Sequence, residues 1–101
     1  MRRKASISHD EAIVKELRAD PEFAAEYLKA AIEEAEDEPR VLLIALRRIA
    51  EARGGLAKVA KAAGIERESL YRALSQRGNP RLSTLVAVTI AMGLKLTVEA
   101  A

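Results

Sequence analysis

The sequence predicts an all-α protein, a single helical bundle, on three observations. Its hydrophobic half is drawn from Ala, Leu, Ile and Val with only Phe23, Tyr27 and Tyr71 as aromatics, a composition suited to closely packed helices. Helix start and stop signals recur along the chain at Ser8, Asp20–Pro21, Pro39, Gly54–Gly55, Gly64 and Gly93. A length of 101 residues supplies one modest core and demands no second domain.

Each element follows in order. Ser8 with Glu11 three residues on is a capping box, opening a helix to about Ala19 whose apolar stripe is Ile13, Val14 and Leu17. Asp20 is a second cap and Pro21 suits the first helical position, where its missing amide costs nothing; Phe23, Ala24, Tyr27, Leu28, Ala31 and Ile32 continue with helical spacing. Pro39 ends the run EEAEDEP and opens a third helix to Arg53, containing VLLIAL and Ile49, the most hydrophobic segment and the expected centre of the core. Gly54 and Gly55 stop it. Short helices over 56–63 and 67–76, a polar turn RGNPR and a last helix from Leu82 to Met92 complete the bundle; the last has Leu85, Val86, Thr89 and Ile90 on its expected inner face and Gly93 as a left-handed cap. Leu94, Leu96 and Val98 then alternate with Lys95, Thr97 and Glu99, the period of a short strand. A lone strand needs a mate, so this one either pairs with the same strand of a second copy or packs as an extended tail on its own domain.

The charge is divided. Asp10 to Glu38 carries 11 acidic and 3 basic residues, whereas Pro39 to Ala101 carries 4 acidic and 11 basic. This separates an acidic N-terminal segment (1–38), suited to a basic protein partner, from a basic region (39–101) suited to nucleic acid, within one compact domain. With no cysteine there is no disulfide framework, and the single His9 has no companions for an ordinary zinc site, so neither metal nor cofactor is expected. A reducing cytoplasm fits. No apolar run reaches the roughly 20 residues of a membrane span, and the basic start MRRK has no signal-peptide core behind it. Arg2, Arg3 and Lys4 suit either insertion into a minor groove or a solubilising tail. Enzymatic function is not expected: there is no nucleotide loop or nucleophile with a matching base, and Gly54–Gly55 lacks the rest of a phosphate cradle.

Two short helices joined by a three-residue turn with Gly64 are the helix-turn-helix pattern. Val59, Ala60 and Ala63 face inward on the first, Ile65 plugs the corner, and Leu70, Ala73 and Leu74 bury the inner side of the second. The 100° step per residue then places Glu68, Arg72, Ser75 and Gln76 outward, flanked by Arg67, Ser69 and Tyr71. These residues suit DNA: arginine is bidentate to guanine, glutamate accepts from the cytosine amino group, and Ser and Tyr reach phosphate oxygens. Lys58 and Lys61, three apart, add backbone contacts. On spacing alone the alternative is a solvated hairpin in which Glu68 and Arg72 pair at i,i+4.

From Gly55 to Val98 the chain resembles the phage-repressor (lambda-repressor-like) class of helix-turn-helix domains, carried by VAKAAGIERESLYRAL and GNPRLSTLVAVTIAMGLKLTV. Over almost its whole length it resembles the bacterial addiction-module antidote (antitoxin) family of Xre/HigA-like type, through DPEFAAEYLKAAIEE, VLLIALRRIAEARGGLAKVAKAAGI, RESLYRALSQRGNPRLSTL and GLKLTV. The resemblance implies a sequence-specific transcriptional repressor that binds double-stranded DNA as a homodimer. It also implies an antitoxin that neutralises a small basic RelE/ParE-like toxin encoded beside it in a type II module and represses their shared promoter. Arg67, Glu68 and Arg72 then occupy the base-reading positions, with Ser69 and Tyr71 beside them. The chain departs from the phage-repressor pattern at Leu56, where a polar phosphate contact is common, which shifts weight to Lys58 and Lys61. Two recognition helices in successive major grooves, roughly 34 Å apart, require a pseudo-palindromic operator. The competing readings are a protein-only module that sequesters a partner, and an orphan or prophage-type regulator. Toxin docking would use the acidic surface; Phe23, Tyr27 and Leu28 are candidate anchors but sit at core spacing.

Overall fold

The computed structural model describes residues 8–101, so the basic arm Arg2, Arg3 and Lys4 lies outside the described residues. Among those described, α1 (His9–Ala19), α2 (Pro21–Glu34), α3 (Arg40–Ala52), α4 (Leu56–Ala63), α5 (Arg67–Ala73) and α6 (Leu82–Ala91) follow one another. The two N-terminal helices begin on side-chain chemistry. Ser8 Oγ accepts the Glu11 amide at 3.0 Å, and the Glu11 carboxylate accepts the Ser8 amide at 3.4 Å. The Asp20 carboxylate accepts the amides of Glu22 and Phe23 at 3.0 and 3.2 Å, with Pro21 as the first helical residue.

Helix α3 is the centre that its apolar sequence predicts. It packs on α1, α2 and α4 and buries Leu43, Ala45, Leu46, Ile49, Ala50 and Ala52. Gly54 and Gly55, at φ +106° and +105°, turn the chain out of α3 into α4, and the Gly55 amide donates back to the Ala50 carbonyl at 2.9 Å. Helix α4 in turn carries both α5 and α6. One continuous cluster therefore runs from Leu17 and Leu28 through Leu46 and Ile49 to Val59, Leu70, Leu74, Val88 and Met92. Arg53 staples its two ends: Nε donates to the Met92 carbonyl at 3.1 Å and Nη1 to the Leu17 carbonyl at 3.3 Å.

Two expectations are corrected, and the structure favours one of the two readings of the tail. Helix α5 ends at Ala73, not Gln76. Leu74 is drawn fully into the core, and the Arg72 carbonyl is taken by the Ser75 hydroxyl at 2.8 Å, so Ser75 and Gln76 lie in the following turn. On α6 the inward residues are Val88, Thr89 and, just beyond the helix, Met92, with Leu85 partly covered; Val86 and Ile90 face solvent. The buried Thr89 hydroxyl satisfies itself on the Leu85 carbonyl at 2.7 Å. Of the two readings of the tail, the structure favours packing on its own domain: among the described residues there is no strand, and residues 94–101 form no ladder within the chain. A strand is defined by a neighbouring backbone, and the bundle offers none. Leu94 instead packs against the core, and Lys29 Nζ of α2 holds Glu99 at 3.2 Å.

Candidate nucleic-acid interface

Helices α4 and α5 pack against each other across the turn Gly64–Ile65–Glu66. Gly64 takes the left-handed conformation at φ +71°, which L side chains resist although the space around it is open. The Ile65 amide donates to the Ala60 carbonyl at 2.9 Å, and the Ile65 side chain packs on the core. With Val59, Ala60, Leu70 and Leu74 all buried, α5 is seated rigidly by its inner side.

That seating turns Arg67, Glu68, Tyr71 and Arg72 to solvent, with Tyr71 half exposed. Lys58 and Lys61 are exposed on α4. Ser69 is half-buried, its hydroxyl donating to Glu66 Oε1 at 3.4 Å. Gln76 is exposed in the turn after α5, displaced from the helical face assigned to it. Among the described residues the ion pairs are Lys29–Glu99, Arg40–Glu38 and Arg48–Asp10; none involves a cation between Lys58 and Arg81. Glu68 and Arg72, although four apart, do not close a pair.

Two contributors escape the spacing argument. Arg77 and Arg81 are exposed in the segment between α5 and α6 and add to the same unpaired positive charge. Gly78 is required sterically: a Cβ there would lie 2.0 Å from the Ala73 carbonyl oxygen, because the chain leaving α5 passes hard against the helix end. The only signal for this in the sequence is the turn composition RGNP.

The opposite charge gathers on α1, α2 and the turn after them. Glu22, Glu26, Glu33, Glu34, Glu36, Asp37 and Glu38 are exposed. Leu28 is buried, and Phe23 and Tyr27 pack on the core with ring centroids 5.9 Å apart. Arg48 of α3 donates to the Tyr27 hydroxyl at 2.9 Å and pairs with Asp10. The hydrogen bond to Tyr27 is the chief reason the Arg48 guanidinium stands above its ordinary pKa, with Asp10 adding and burial opposing. Among the described residues no group of His, Cys, Asp and Glu is placed to hold a metal ion, and no helix is long and apolar enough to cross a membrane.

An uncharacterized protein of Haemophilus influenzae is 44% identical to the chain over 64 residues, covering 63% of this chain and 65% of that protein. The chain thus matches slightly less than two thirds of that relative's length. No solved structure matches it. A family model described as "Probable addiction module antidote protein" matches residues 9–100, and the chain belongs to that family.

Proposed function

We propose that this chain is the antitoxin of a type II toxin-antitoxin module and a sequence-specific DNA-binding repressor of its own operon, acting as a homodimer. Membership of the antidote family supports the antitoxin role. The observation that carries the DNA-binding role is the set of exposed cations Lys58, Lys61, Arg67, Arg72, Arg77 and Arg81, none of them spent on an ion pair among the described residues. In this reading α4 and α5 are a helix-turn-helix of the lambda-repressor-like class. Helix α5 enters the major groove, where Arg67, Glu68 and Arg72 read base edges while Ser69, Tyr71, Lys58 and Lys61 hold the backbone. Gln76, placed in the turn, reaches the phosphate edge of the groove. The acidic surface of α1 and α2 draws in a small basic toxin of RelE/ParE-like type, so the two partners occupy regions of opposite charge.

The test is a fluorescence-anisotropy titration of the DNA upstream of the gene against scrambled DNA of equal length, across salt concentrations. The expected result is a preference of about 10³ or more, with affinity falling as salt rises. Equal, weak binding to both DNAs, erased by salt, overturns the repressor role.

A further inference from the structure

Helices α2 and α3 line one cleft with matching quartets. Tyr27, Ala30, Ala31 and Glu34 recur on α2 at i, i+3, i+4 and i+7, and Val41, Ile44, Ala45 and Arg48 do the same on α3. Ala30 and Ala31 carry too little side chain to fill the space beside Val41 and Ile44, so about 360 Å³ stays open, with Ile13 of α1 as a third wall. The walls are apolar, yet Ile13, Val41 and Ile44 are only half covered. Arg48, the cation of the cleft, is already spent: it donates to the Tyr27 hydroxyl at 2.9 Å and pairs with Asp10. The rim is acidic. Glu34 stands on it, and the turn from the end of α2 to the start of α3 adds exposed Glu36, Asp37 and Glu38 against Arg40, which is itself paired with Glu38.

We propose that this cleft is the socket for an apolar side chain of the basic toxin, a side chain flanked by Lys or Arg that meet the acidic rim. The inference deepens the antitoxin reading and rests on it. An apolar anchor seated in a pocket and ringed by polar contacts is the arrangement that carries most of the energy of a protein interface. The toxin has to supply that anchor, because Phe23, Tyr27 and Leu28 of this chain are committed to the core. The volume lies near the lower end of ligand pockets, roughly 300–1,000 Å³, which gives room for one or two side chains and not for a helix. Charge selects the occupant: the rim carboxylates attract a basic polypeptide and repel the phosphates of DNA. The groove on the other side of α2, beside the tail, suits a basic partner less, since Lys29 and Lys95 both line it.

The probe is the purified protein encoded beside this chain's gene, titrated calorimetrically into the full chain. Ala30 and Glu34 are exposed, so Ala30→Trp fills the cleft and Glu34→Lys reverses a charge on its rim without entering the core. Both are expected to weaken binding, the first by about 30-fold or more, the scale on which an interface anchor is lost, with helical circular dichroism unchanged. Ala25→Trp and Glu33→Lys make the same changes on the opposite groove of α2 and should bind like the unmodified chain. Should the tryptophan disturb α2, Glu34→Lys against Glu33→Lys carries the same comparison. Undiminished binding by both cleft variants overturns the proposal and leaves the antitoxin reading standing. Equal weakening by Glu33→Lys and Glu34→Lys, with none from a folded Ala30→Trp, also overturns it, because only long-range attraction is then at work. Loss in the Ala25→Trp variant alone moves the contact to the groove beside the tail, and self-association of the chain that Ala30→Trp abolishes gives the cleft to a second copy; either result overturns the assignment. A neighbouring gene product that the unmodified chain does not bind removes the antitoxin reading and this inference with it.

Discussion

The α1–α2 pair and the α4–α5 pair are both helical hairpins resting on α3 or its neighbour, yet they are held in different ways. The first is specified locally: Ser8 and Asp20 cap its helices, and Asp10 and Lys29 tie it to Arg48 of α3 and Glu99 of the tail, while most of its carboxylates stay exposed. In the second, neither α4 nor α5 has a side-chain cap, and the exposed cations form no ion pair among the described residues. It is held by buried Val59, Ala60, Leu70 and Leu74 and by a left-handed Gly64. A hairpin fastened from beneath leaves its outer charges available, which is what a surface for a polyanion requires.

The sharpest way to break this comparison is to strike the core both hairpins share. Ile49→Ala should cost about 2–5 kcal/mol, and urea unfolding followed by circular dichroism and by tyrosine fluorescence should show one transition, since Tyr27 and Tyr71 report from the two hairpins. Two separate transitions would mean the halves are independent. Next in size, Arg72→Ala should weaken operator binding by about 1–3 kcal/mol and relax base preference without lowering the melting temperature, whereas Lys61→Ala should weaken all sequences alike. An unchanged preference in the Arg72 variant would show that the outer face of α5 is assigned in the wrong register.

Arg53→Met keeps the side-chain stem but removes the donors to Leu17 and Met92, and should cost about 1 kcal/mol in thermal unfolding. No loss would mean that water replaces the staple. The smallest effect belongs to Lys29→Ala. Lys29 is half exposed and raised above its ordinary pKa of 10.5, first by its hydrogen bond to Glu99 and then by that carboxylate's charge. Its contribution is therefore complete below about pH 10 and disappears as the pH rises through the elevated value. The variant should keep the wild-type unfolding midpoint while amide exchange quickens over residues 95–99, and equal exchange would show that Leu94 alone holds the tail.

Much of the architecture was legible because its causes are local. A capping box, an Asp-Pro start and paired glycines act within a turn or two of the backbone, so α1, α2 and α4 begin where their residues indicate. The outward placing of Glu68 and Arg72, with Arg67 and Tyr71 beside them, was legible for the same reason, since burial of Leu70 and Leu74 determines which way the opposite side of a short helix looks, whereas Ser75, assigned to the same side, is half-buried in the turn. The end of α5 was not. There a competition between one more helical turn and the burial of Leu74 is decided by the seat beneath it, and Ser75 and Gln76 leave the helix as a result. The inner face of α6 was illegible because a helix apolar on every side carries no periodic signal to orient it.

By itself, then, the sequence determined the helical class, the starts of the capped helices, the separation of acidic from basic surface and the residues α5 can offer. Tertiary structure alone decided three things: that α6 turns Leu82, Val86 and Ile90 outward, that Gly78 must be glycine, and that the alternating tail packs Leu94 on the core of its own chain. Caps and charges act over a few residues of chain, whereas burial, close approach and ladder formation depend on which distant segment happens to lie alongside.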